Sequence, residues 1–141
     1  MPVTYTVDVE ERIIRTTCSS PVTLPDVLEH FRALRENPEF SGKLDVLLNV
    51  DAVDALPERV QLGAVVTELG ASAKKAEFGA CAIVASRDAM FGMMRIFEVF
   101  ASQYFRAICV FRGLAEAEQW LQQQRKTGEL RPPESPDLSE V

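Results

Sequence analysis

Residues 44–54 read LDVLLNVDAVD. The first seven are apolar except for Asp45 and Asn49, a run of the length and character of a strand buried in a sheet. Asp51 and Asp54 then sit in a short loop, and Pro57 opens a helical stretch. A buried strand that delivers two carboxylates to a strand-to-helix turn points to an open α/β sheet, whose working surface usually lies at such turns.

The flanking sequence extends this reading in both directions. Upstream, Tyr5, Val7 and Val9 alternate with Thr4, Thr6 and Asp8, the period of a half-buried strand. Glu10-Glu11 turns the chain, and residues 12–18 form a second strand. So short a connection forces an antiparallel pair and places the first strand at or near an edge. Thr23 is a good N-cap with Asp26 three residues on and Pro25 in the first turn. Leu24, Val27, Leu28, Phe31 and Leu34 then mark an amphipathic helix to about residue 37. Downstream, the pattern predicts a helix over 58 to about 73, a strand over 79–85 and a helix from the Ser86 cap to about 103. A strand over 105–111 and a helix over 114 to about 125 follow. Strands alternating with helices imply parallel pairing through right-handed crossovers. The fold expected is α/β: a mixed five-stranded sheet with four helices, the first strand antiparallel and the strand order left open. Residues 1–126 form one domain, and 127–141, proline-containing and acidic, read as a tail.

Composition narrows the function classes. A chain of 141 residues buries roughly 70% of its unfolded surface without staples. The net charge is −6, from 15 basic and 21 acidic residues, and much of the excess lies in the tail, where Glu129, Glu134, Asp137 and Glu140 face Arg131. Scattered basic residues argue against a nucleic-acid partner. No apolar run is long enough for a membrane span, and the start of the chain lacks signal-peptide character, so a cytoplasmic location is expected. Three cysteines, Cys18, Cys81 and Cys109, lie in or beside apolar strands without CxxC spacing, which reads as reduced, buried thiols and neither a disulfide framework nor a zinc site.

Four strings, TYTVDVEERIIR, LDVLLNVDAV, FGMMRIFEVF and AICVFRGLAEAEQWL, resemble the SpoIIAA-like group of small bacterial proteins in the STAS superfamily. The resemblance spans roughly residues 4–124. It implies a STAS-like mixed sheet and a regulatory or ligand-sensing role. In the anti-sigma-factor antagonists of that superfamily a serine at the start of the second helix is phosphorylated. The corresponding stretch here, Asp54-Ala55-Leu56-Pro57-Glu58, has no hydroxyl, so the phospho-switch does not carry over. Asp51 and Asp54 leave fixed negative charge where the phosphate would sit.

Three groups of residues stand out as candidate sites. Asp51, Asp54 and Glu58 form a partner or ligand loop, with turn and cap roles as the alternative for the two aspartates. Ser86, Arg87 and Arg112 form a possible anion site at a helix start, with simple capping by Ser86 as the alternative. Met90, Phe91, Met93, Met94, Phe97 and Phe100 crowd one helix, leaving a narrow polar stripe of Asp88, Arg95, Glu98 and Ser102. That helix has more apolar surface than a sheet can cover, so its cover is a neighbouring helix or the tail, a second copy, or an apolar ligand in a pocket. His30 lies off the apolar stripe of the first helix and reads as a solvated residue able to pair with Asp26. No nucleophile–base pair, metal cluster or phosphate-binding glycine loop can be assembled. The expectation is a non-enzymatic regulatory or protein-binding domain without cofactor or metal, acting by self-association as a homodimer or through a partner protein. The alternative is a carrier or sensor of an apolar small molecule or lipid.

Overall fold

The structure is a computed structural model that describes residues 2–130, with side chains through residue 127. Among these, five strands and four α-helices alternate as anticipated: β1 (Val3–Asp8), β2 (Ile13–Ser19), α1 (Leu24–Glu36), β3 (Lys43–Ala52), α2 (Arg59–Ser72), β4 (Glu77–Val84), α3 (Asp88–Ala101), β5 (Ala107–Phe111) and α4 (Leu114–Leu130). The sheet order is β1-β2-β3-β4-β5, with β1 antiparallel at one edge and all other pairs parallel. The β1–β2 turn is held by Asp8, whose carboxylate accepts from the Glu10 and Glu11 amides.

Neighbouring parallel strands joined in sequence by crossovers of one hand place their helices on one face. The two hydrophobic clusters follow this division. One joins α1, α2 and α3 to Ile14, Leu44, Phe78, Cys81 and Ile83 of the sheet. The other joins Ala117 and Leu121 of α4 to Ile13, Leu47, Ala80, Ala82 and Val84. Alternate residues of β4 therefore serve opposite clusters, which is why that strand is apolar from Phe78 onward. Beyond Ile13, the α4 side of β1 and β2 is polar, and Arg15 there pairs with Glu118 of α4 at 2.6 Å.

One irregularity shapes the centre of the sheet. The β3–β4 register shifts between Leu44 and Val46. The buried Asp45 carboxylate accepts from the Ala80 amide at 2.8 Å across that shift. A side chain at Gly79 would put its Cβ 2.3 Å from Asp45 Oδ1, so only glycine fits.

The element boundaries depart from expectation in three places. Helix α2 starts at Arg59 with Glu58 as N-cap, two residues beyond Pro57, because the loop from β3 is longer than a tight turn. Helix α3 starts at Asp88 with Arg87 as N-cap, so Ser86 is not the cap. Helix α4 continues to Leu130, past the anticipated end near Arg125, and the remainder of the expected tail, 131–141, lies outside the described residues. No helix among the described residues is long and apolar enough to cross a membrane.

Candidate functional site

The carboxyl ends of the strands are laced together by short polar links. Ser20, just after β2, donates through Oγ to Asp54 Oδ1 at 2.6 Å, and the Asp54 amide donates back to Ser20 Oγ at 2.8 Å. Asp54 is therefore a clasp between two loops and not the cap of α2. Asp51, at the end of β3, accepts from both the amide and the hydroxyl of Ser86, at 2.7 and 2.6 Å. These hydrogen bonds, and the nearby positive charge of Arg87, hold the Asp51 carboxyl below the usual carboxylate range. Arg112 donates to Asp88 at 2.7 Å and to the Ser86 carbonyl at 3.1 Å, and its guanidinium lies 4.3 Å over the Phe91 ring. The possible anion site of Ser86, Arg87 and Arg112 thus already holds this chain's own carboxylates, Asp51 on Ser86 and Asp88 on Arg112. Glu58 is exposed, and its amide donates to Gln61 Oε1 at 2.8 Å.

Beneath these loops lies a cavity of about 360 Å³ between the sheet and helices α1, α2 and α3. That is within the size range of small-molecule sites and far above the roughly 10–15 Å³ one water needs. Its floor is the sheet, with Ile14, Cys18, Val46 and Leu48. Its roof comes from Phe31 and Leu34 of α1 and Leu62, Val65 and Leu69 of α2. Met90, Met94 and Phe97 of α3 close one side. Helices α1 and α2 make their close backbone approaches to each other, to β1 and to α3, and leave space above the central strands. Leu62, Val65 and Leu69 of α2 line the space without filling it. At the loop end, Val22, Val53, Ala55, Leu56 and Pro57 form the wall, and Leu56 lines the cavity while remaining 48% exposed.

The crowded helix is largely sheltered by its own chain. Met90, Met94 and Phe97 are buried on the cavity side, and Phe91 and Met93 are half-buried against the core. Val99 and Phe100 alone on that helix stay strongly exposed among its large apolar residues, at 69% and 58%.

His30 corrects another expectation. It is half-buried, lines the cavity and packs edge-on against Tyr5 at 5.2 Å. Asp26 does not pair with it, because Asp26 turns back to the Thr23 amide and hydroxyl, both at 2.9 Å, in the anticipated capping box. Burial pushes the imidazole down to about 4, and Nδ1 is buried without a hydrogen-bond partner. Burial also raises all three thiols, Cys18 to about 11. Cys109 is only half-buried, against the expectation of a buried thiol.

No group of three or more His, Cys, Asp or Glu side chains among the described residues is arranged to hold a metal ion. The sequence reading offered a pocket only as one possible cover for the Met- and Phe-rich helix; it missed Thr16 and took His30 for a solvated residue. No local signal gave their positions, which depend on packing between elements distant in sequence. No family model, curated protein or solved structure matches this chain.

Proposed function

We propose that the domain binds a small apolar molecule in the cavity between the sheet and α1–α3, as a carrier or sensor. The cavity itself carries this reading. Its walls are mainly apolar, and apolar surface left facing water costs roughly 25 cal/mol per Å². Water does not settle well against walls that offer few polar partners. An apolar occupant covers that surface and displaces that water, and the exposed lining residues at the loop end, Leu56 among them, mark a route in. The STAS-like resemblance, with its regulatory or ligand-sensing role, is compatible with a sensor whose occupancy is read at the laced loop surface.

Binding of N-phenyl-1-naphthylamine, which fluoresces in apolar surroundings, tests this. The wild type should bind it with saturation, and the cavity-filling changes Val65→Phe and Leu48→Phe should each weaken binding at least about tenfold while cooperative unfolding is kept. No binding by the folded wild type, or binding indifferent to both changes, removes the reading.

A second reading, self-association or docking of a protein partner, is favoured by the exposed pair Val99 and Phe100. Light scattering should then give twice the chain mass, falling to the monomer in Phe100→Glu; a monomeric wild type excludes the homodimer.

A further inference from the structure

The polar groups on the cavity wall restrict what can fill it. None of the lining side chains carries a formal charge at neutral pH; the polar ones are Thr16, Thr23, His30 and Gln61. Thr23 and Gln61 are engaged at helix starts, Thr23 Oγ1 accepting from the Asp26 amide and Gln61 Oε1 from the Glu58 amide. His30 differs, since its buried Nδ1 has no partner. Tyr5, whose ring stands edge-on to His30, is the cross-strand neighbour of Thr16. Cross-strand neighbours share a face, so Thr16 lies on the same face of the sheet as Tyr5, and Thr16 and His30 both line the cavity, His30 at the corner beside Tyr5. The ring is neutral at pH 7 and offers one donor and one acceptor nitrogen. A charged headgroup sunk into this corner would lack a counter-charge, whereas a hydroxyl can satisfy either nitrogen. Resting on the cavity reading above, we propose that the occupant is an uncharged, mainly apolar molecule bearing a hydroxyl that hydrogen-bonds to the His30 imidazole.

The experiment is displacement of N-phenyl-1-naphthylamine at pH 7.5 by naphthalene, 2-naphthol and 2-naphthoate. In the wild type 2-naphthol should compete about tenfold better than naphthalene, the worth of one hydrogen bond, and 2-naphthoate should compete worst. His30→Phe, which keeps an aromatic ring, should bind the probe and lose the tenfold advantage. Equal competition by naphthalene and 2-naphthol, an advantage that survives His30→Phe, or preference for 2-naphthoate overturns the proposal and leaves the cavity reading standing. Failure of the probe to bind the wild type at all removes the cavity reading first. A further measurement needs no variant: His30 is the sole histidine, so its two ring ¹⁵N resonances identify themselves. They should shift on saturation with 2-naphthol, and signals that stay in place overturn the hydrogen bond.

Discussion

Gly79 and Asp45 show how one residue can set a strand register. The Asp45 carboxylate substitutes for a ladder acceptor where β3 and β4 slip, and it stands where the Cβ of any other residue at position 79 would be. Gly79→Ala should displace Asp45, leave the Ala80 amide unpaired in the core and cost about 1–3 kcal/mol, measured by urea unfolding. A change within about 0.5 kcal/mol would mean the bond is not formed. His30 acts through its protonation state. Its folded value, about 4, lies below the ordinary 6.5, so the unfolded chain binds the extra proton more readily. This group's contribution to stability should be intact above pH 6.5, decline as pH falls toward 4 and level off below it. His30→Phe should flatten that limb of the stability profile. Nothing in the sequence marked His30 as buried, because its helical position lies off the apolar stripe, and only the neighbouring Tyr5 strand covers it.

At the scale of elements, the helices differ in what their small residues do. Gly70 lets Tyr104 lie against α2; a Cβ there would come 2.8 Å from the tyrosine oxygen. Gly63 and Gly92 sit inside α2 and α3 with open space where a Cβ would be. Gly63→Ala and Gly92→Ala should therefore each stabilise the fold by about 0.5–1 kcal/mol, through helix propensity and a less flexible unfolded chain, read as a higher denaturation midpoint. The loops at the strand ends are joined by side chains and not by helix caps. The Ser86 amide, bonded to Asp51, should exchange its hydrogen slowly in the wild type and markedly faster in Asp51→Ala. Equal exchange rates would show that the clasp does not persist in solution. Hydrophobic periodicity gave the type and approximate extent of every strand and helix. It did not reveal these clasps, since a serine or aspartate before a helix looks like a cap wherever the loop length is unknown.

Across the whole molecule, the unequal covering of the sheet is the feature with functional weight. One face carries α4 alone, packed closely; the other carries three helices with space beneath two of them. If that space is a binding site, a bound apolar molecule should raise the melting temperature with ligand concentration, since it binds the folded chain only. Val65→Phe, which occupies the space permanently, should abolish the dependence. The methionine- and phenylalanine-rich helix, which by its pattern needed a cover, contributes Met90, Met94 and Phe97 to the cavity wall and leaves Val99 and Phe100 outside.

The sequence by itself determined the α/β class, the nine elements, the antiparallel start and the Thr23–Asp26 capping box, because periodicity, caps and connection lengths are local properties carried by neighbouring residues. Only the tertiary structure decided the strand order, the partners of Asp51, Asp54 and Ser86, the burial of His30 and the existence of the cavity. Each of these depends on the distance between side chains far apart along the chain, and a void in particular is the absence of atoms, which no local pattern encodes.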